Sequence, residues 1–348
     1  MGETQFRSKI YWLTFCFSLM VVWVHSYNWE LFLGQTLEGN AVALVERIFG
    51  ESLGQMAVPG FFLVSGYLFF RTFALKGLLG KWGTRVRTVA LPYVLWNLLY
   101  YAGYFLASRL PFLESVLNRG TVPLDGKTLV EAAFFNLYNP VFWYLHQLIF
   151  LILLAPVLYF LLKRDGSAAL FMAFLVWAIY ANRRLGPLNT DALFYYGTGA
   201  WAGLHRKDSA SFAESGEIKK WLVPGAVLGL WAAAVWILSR PGGILHYNPL
   251  TAVTCRLTMA VGSWILISVL PLPEAKEYTK HSFFLYAIHF ALVRLFNKAG
   301  ALMFPGSAGA ALLFFFAMPF VMVPVSLGLG RLLGRVLPPV YRILTGGR

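Results

Sequence analysis

Ten long apolar stretches, separated by short segments that hold most of the charge, decide what this chain can become. A helix needs about 20 apolar residues to cross a bilayer. Hydrocarbon cannot satisfy an open backbone, so stretches of this kind cross it as helices. The stretches run over about 10–29, 53–72, 88–108, 140–162, 167–182, 190–205, 221–239, 249–270, 281–298 and 308–333. The expected fold class is an all-α polytopic membrane protein of about ten transmembrane helices, a single integral-membrane domain over 1–348. Only 13% of the residues are charged against 58% hydrophobic, too few charges to cover a water-soluble surface of this size. That excludes a cytosolic enzyme, a disordered chain and a disulfide-stapled secreted domain.

The formal net charge of +14 reads as topology, with no nucleic-acid partner, because the basic residues fall in short clusters between apolar runs. Placing both termini in the cytoplasm gathers most of the 29 lysines and arginines on that side: Arg7, Lys9, the group Arg71 to Arg87, Lys163, Arg164, Arg206, Lys207, Lys219, Lys220 and the C-terminal arginines. Cys16 and Cys255 lie in apolar stretches without CxxC spacing, so neither a disulfide nor a metal site is expected. The first stretch lacks a small-residue cleavage site and reads as a retained helix. The longer outward segments are 30–52 and 109–139, the second with an amphipathic helix near Leu129–Leu137. The spacings Gly199/Gly203 and Gly330/Gly334 fit close helix packing.

An ionisable side chain at mid-membrane costs roughly 2.5–3.5 kcal/mol on insertion scales, so each one needs a reason. His25 lies toward the outer end of the first stretch, with Ser18 and Asn28 on the same side of a helix. It reads either as an interfacial anchor or as a general base at the mouth of a cavity. Pro59-Gly60-Phe61-Phe62-Leu63-Val64-Ser65-Gly66-Tyr67 predicts a locally irregular second helix, with Ser65 and Tyr67 lining substrate or packing backbone. The run Lys81-Trp82-Gly83-Thr84-Arg85-Val86-Arg87 is a membrane anchor or a phosphate site. Trp143 belongs to an aromatic belt, and His146-Gln147 is a polar pair at the outer end of the fourth stretch. Tyr286 and His289 share a helix face at i, i+3. Arg256, inside the eighth stretch, is a site candidate or half of an ion pair.

In this order, these segments resemble the membrane-bound acyltransferase family 3, the bacterial O-acyltransferases of surface saccharides. VVWVHSYN is similar to the first-helix segment that ends in the family's essential histidine, which puts that role on His25. PGFFLVSGYLFF, RVRTVALPYVLWN, VFWYLHQLIFLILLAP and SFFLYAIHF resemble four further family segments. Thr14 stands where many members carry an arginine, and His146-Gln147 where Arg-Asp often follows the Trp-x-Leu motif. The resemblance implies transfer of an acyl group, usually acetyl, from cytoplasmic acyl-CoA to a hydroxyl of an extracytoplasmic saccharide or lipid-linked glycan.

That reaction needs a base, an oxyanion stabiliser and a grip on the CoA phosphates. The expected assignments are His25 for the first and Tyr286, His289 or Asn28 for the second. Arg85 and Arg87, with Lys81, take the third. Ser65, Tyr67, Trp143, His146 and Arg256 are expected along the substrate path, and Glu30 or Glu51 as an orienting carboxylate for His25. Acyl-CoA, acetyl-CoA above all, is a substrate on this reading, with no tightly bound cofactor. The setting is the bacterial inner membrane, and a homo-oligomer is compatible with it. The rival reading is a transporter or flippase for a saccharide or small solute, which suits intramembrane His and Arg.

Overall fold

Three prolines stand beside irregular points in the helices of this chain. The structure, a computed structural model, describes residues 2–34, 40–110, 120–205 and 248–347, with scattered positions between 224 and 234. The span expected over 221–239 lies largely outside the described residues, as do Arg206, Lys207, Lys219 and Lys220.

The first helices are α1 (Glu3–Val24), α2 (Trp29–Leu33), α3 (Ala41–Glu46), a π-helical segment Arg47–Leu53, and α4 (Ala57–Phe70). Next come α5 (Leu78–Arg85), a second π-helical segment Val86–Ala90, α6 (Leu91–Ala107), α7 (Gly126–Phe135), α8 (Trp143–Leu153) and α9 (Ala155–Leu162). The remainder are α10 (Asp165–Tyr180), α11 (Thr190–His205), α12 (Pro249–Val269), α13 (Glu277–Lys280), α14 (Ser282–Met303), α15 (Ala308–Val336) and α16 (Pro338–Leu344). Among the described residues there is no β-strand, only an isolated bridge between Leu185 and Leu188.

Among the described residues, five helical stretches are long and apolar enough to cross a membrane: Glu3–Leu33, Ala41–Phe70, Leu75–Ala107, Pro249–Val269 and Ala308–Val336. Pro140–Leu153 with Ala155–Leu162 makes a sixth if the pair, bent by 66°, is one span. Three further expected stretches are helices too, but α10 and α11 have only 16 residues each, and α14 carries Arg294 and Lys298 among its 22. Large apolar side chains face outward, Leu106, Leu170, Leu313 and Phe320 among them, as lipid contact requires.

The second helix departs from the sequence reading. Residues 59–68 run as unbroken α-helix, and the irregularity lies upstream, at Arg47–Met56. Pro59 sits in the first turn of α4, where its missing N–H is an orphan anyway, and it cannot bond the carbonyl four residues earlier. Pro92 stands in the same relation to Val86–Ala90, the second π-helical segment. Pro156 leaves the carbonyl of Ile152 unused by the helix, and the Trp82 indole donates to it at 2.9 Å.

The described chain divides into two units, Met1–Phe73 with Val157–Leu329, and Ala74–Pro156 with Gly330–Arg348. In the first unit α4 and α11 lie backbone to backbone. Gly66 faces the carbonyl of Tyr196, Gly199 that of Leu63, and Gly203 that of Tyr67, so the Gly199/Gly203 spacing does what it predicts. Val22 of α1, Leu285 and Val293 of α14, and Met318 and Met322 of α15 form one apolar core, which brings the end of α1 against α14. In the second unit α7 starts at Asp125, whose carboxylate accepts from the Thr128 amide at 2.8 Å and hydroxyl at 2.9 Å. This is the amphipathic helix expected there, three residues earlier than anticipated at its start. The α16 segment packs on α6: the Trp96 indole donates to the Leu344 carbonyl at 3.0 Å, and Gly346, at φ +66°, lies against the Thr88 backbone.

Candidate functional site

The first unit holds a histidine pair. His25 ends α1 and is half-buried, while His289 on α14 is fully buried. Their ring centroids are 5.3 Å apart at 44°, and Phe290 packs edge-on against His25 at 5.5 Å. His289 Nδ1 lies 2.6 Å from the carbonyl oxygen of Tyr286. A carbonyl only accepts, so this contact assigns the hydrogen to Nδ1 and leaves Nε2 a lone-pair acceptor in the neutral ring. Nε2 is buried and meets no hydrogen-bonding group among the described residues. The tautomer favours His289 as an acceptor rather than as an oxyanion donor. Tyr286 stacks loosely on the same ring, 5.9 Å between centroids, and so joins the pair.

The turn after His25 is polar and buried. The Ser26 hydroxyl donates to the Val22 carbonyl at 2.6 Å, which finishes α1. The Asn28 amide donates to Asn297 Oδ1 at 3.3 Å and to the Ala311 carbonyl at 3.1 Å, while Asn297 Nδ2 donates to the Ser26 carbonyl at 3.1 Å. The carboxylate at this turn is Glu46, which accepts from the backbone amides of Asn28 and Trp29 at 3.2–3.4 Å. Of the two carboxylates proposed from sequence, Glu30 is exposed on α2 and Glu51 lies 3.9 Å from Arg47. Sequence reasoning missed Glu46 and Asn297. The available signal was a lone acid in the apolar run AVALVERIF, and an asparagine eight residues after His289 on one helix.

Other predicted residues of this unit lie apart from the pair. Tyr67 packs against Phe6, 6.0 Å between ring centroids, and Phe6 lies 19 residues before His25 on α1. At 1.5 Å per residue that is about 28 Å along the helix. Ser65 is half-buried on α4. Ser18 donates to the Thr14 carbonyl at 2.9 Å rather than turning toward His25. Arg256 on α12 has its partners on α11, where it hydrogen-bonds the Tyr195 side chain and interacts with the Asp191 charge. The opposite charge of Asp191, half-buried like Arg256, accounts for an arginine within an apolar helix. Among the described residues no group of His, Cys, Asp and Glu could hold a metal.

The second unit carries the basic run. Gly80, Gly83, Thr84, Arg87 and Thr88 line a cavity of about 300 Å³. Those positions are one helical face, spaced i, i+3, i+4, i+7, i+8. Arg85 and Lys81 do not line it, so the structure separates Arg87 from its two expected companions. A Cβ built on Gly80 or Gly83 meets nothing within 4 Å, so both leave bare backbone beside the cavity. In the same unit His146 stacks on Tyr93 at 6.0 Å and 22°, with Phe135 and Phe150 around it, and Trp143 is 40% exposed. His146 therefore sits in an aromatic cage.

The comparisons bear on what this arrangement does. The chain is 27% identical, over 355 aligned residues that cover 94% of it and 89% of the relative, to the succinoglycan biosynthesis protein ExoH of Rhizobium meliloti (strain 1021). No solved structure matches it. The profile of the family described as acyltransferase domain matches residues 10–331, an interval that contains His25, Arg87, His146, Arg256 and His289 alike. The chain belongs to this acyltransferase family and is an acyltransferase.

Proposed function

We propose that the chain is an O-acyltransferase of the inner membrane that moves an acyl group, acetyl first among them, from cytoplasmic acyl-CoA to a hydroxyl of an extracytoplasmic saccharide. The observation that carries the reading is the His25–His289 pair, inside a chain that matches the acyltransferase family from 10 to 331. The saccharide acceptor is supported by the name of the relative, a polysaccharide biosynthesis protein. The topology that goes with it is ten spans with both termini cytoplasmic. Helices of 16 residues such as α10 and α11 cross where neighbouring protein shields them.

On this reading His25 takes the proton of the acceptor hydroxyl as its oxygen attacks the thioester carbonyl. The carbon–sulfur bond breaks, and the departing CoA thiolate receives that proton from the His25 imidazolium. Ester and free CoA are the only products. His289, its ring 5.3 Å from that of His25 and its Nε2 lone pair unused in this structure, would steady the imidazolium by accepting the hydrogen that His25 carries once the two rings turn toward each other. Tyr286, through its carbonyl, fixes the His289 tautomer. Arg87, Thr84 and Thr88, beside the bare backbone of Gly80 and Gly83, suit the phosphates and ribose of CoA. Lys81 and Arg85 add field without contact.

The test is turnover by purified protein in vesicles supplied with radiolabelled acetyl-CoA, read as free CoA or as label in saccharide. Release of CoA by the wild-type protein supports the reading. If neither acetyl-CoA nor longer acyl-CoAs are consumed, the transporter reading replaces it. Within the same assay, Arg87→Ala is expected to raise KM for acyl-CoA about tenfold, the loss of one charge-assisted contact at an exposed site, with kcat little changed. Arg85→Ala, one residue away from that face, leaves KM within about twofold. Equal KM changes in the two variants would remove the cavity from donor binding.

A further inference from the structure

We propose that Glu46 is a positioning residue: its buried carboxylate grips the turn that follows His25 and so holds the His25 ring against His289. This rests on the acyltransfer reading for its kinetic consequence, though not for its geometry.

The turn 25–28 joins α1 to α2 and is pinned by three elements remote in sequence. From α3, Glu46 accepts from the Asn28 amide at 3.2 Å and 3.4 Å, through its two oxygens, and from the Trp29 amide at 3.4 Å. On α14, Asn297 donates to the Ser26 carbonyl at 3.1 Å. The Ala311 carbonyl of α15 accepts from the Asn28 side chain at 3.1 Å. These amides are the cap and first position of α2, where a helix start leaves N–H groups without partners. As the N-cap of α2, Asn28 would by residue type accept from amides further into the helix, yet its side chain makes no cap bond because it reaches across to Asn297 and Ala311. Glu46 supplies the cap instead.

The carboxylate is placed for this by its own local structure. Asn40 caps α3 by accepting from the Val42 and Ala43 amides, and Glu46 is the last residue of α3, where the chain passes into the π-helical segment. A π-helical turn redirects the residues around it, and such turns occur often at functional sites. Glu46 has no exposed surface. A buried carboxylate persists only where hydrogen bonds satisfy it, and its bonds here all go to backbone amides. None goes to the His25 ring, so Glu46 acts through the backbone that carries His25.

The test compares Glu46→Ala, Glu46→Gln and wild type in vesicles. Glu46→Ala is expected to lower kcat by on the order of 10²-fold, the effect of a displacement near 1 Å, with KM for acyl-CoA within about twofold. Glu46→Gln keeps an acceptor oxygen in the same place and is expected to recover all but about fivefold. A second readout needs no turnover: the rate at which diethyl pyrocarbonate modifies His25, followed by mass spectrometry, should change at least about fivefold in Glu46→Ala and little in Glu46→Gln. Wild-type kcat and wild-type His25 reactivity in Glu46→Ala would overturn the proposal. So would a Glu46→Gln protein as inactive as Glu46→Ala with His25 reactivity unchanged, which would make the carboxylate a proton carrier. If Glu46→Ala does not fold, Asn297→Ala releases the same turn from its other side, and the same loss of kcat and shift in reactivity are expected. Should wild type consume no acyl-CoA, the functional reading fails by itself, and His25 reactivity still decides whether Glu46 holds the turn.

Discussion

Replacing His25 by alanine is expected to cut acyl transfer by on the order of 10²–10⁴-fold, the contribution of a positioned general base, while the protein still purifies as folded material. His25 terminates α1 and its ring packs only on His289 and Phe290 among the described aromatic contacts, so its loss opens little of the core. The pairing sharpens the expectation. His289 is fully buried, with Nδ1 committed to the Tyr286 carbonyl, so only Nε2 remains to meet a donor. If the two rings act as a unit, His25→Ala combined with His289→Ala will be no slower than His25→Ala alone, because residues of one catalytic unit do not add. The measurement is CoA release from acetyl-CoA by purified variants. A His25→Ala enzyme that keeps more than a tenth of the wild-type rate would take His25 out of the chemistry, and multiplicative losses would divide the pair.

Much of this architecture was legible because hydrocarbon leaves a chain so few choices. Among the described residues the apolar stretches fix eight of the expected helices to within five residues at either end, α1 starting seven residues before its expected stretch, and Gly199 with Gly203 announces a close helix contact. What failed was detail set by tertiary partners. Pro59 suggests irregularity at its own position, yet the break lies upstream, since the missing hydrogen bond is the one to an earlier carbonyl. The cluster Lys81, Arg85, Arg87 reads as one patch by charge, but residues two apart on a helix point about 200° apart, and Arg87 shares its face with Gly80, Gly83, Thr84 and Thr88 instead. Glu46 showed in the sequence only as a lone acid in the apolar run AVALVERIF, and such an acid beside a loop ordinarily faces water. Only the folded chain reveals that it caps the helix after His25. The acids near His25 in sequence, Glu30 and Glu51, were the natural guess, but Glu30 is exposed on α2 and Glu51 lies 3.9 Å from Arg47.

The packing of α4 on α11 carries the largest expected stability effect of a single methyl group. At Gly199 a Cβ would run into the backbone of Leu63, with its carbonyl carbon at 2.9 Å and Cα at 3.0 Å, and its oxygen closer still. Backbone cannot swing aside as a side chain tip can, so relief requires the two helices to separate. Separation would also undo the contacts at Gly66 and Gly203, which press on the same pair of helices from either side. In lipid there is no hydrophobic force to restore them, because association there rests on close packing. Gly199→Ala is therefore expected to cost at least about 3 kcal/mol, the upper end for overpacking, and to lower the detergent melting temperature by roughly 5–10 °C. Gly103→Ala is the matching control: it sits inside α6, a Cβ there meets nothing within 4 Å, and alanine gains up to about 1 kcal/mol of helix propensity. The two variants make the same chemical change in opposite settings, so a melting scan of both separates packing from propensity. Equal melting temperatures would mean that α4 and α11 do not meet as closely as Gly199 implies, and the placement of Ser65 and Tyr67 on α4 would then need revision.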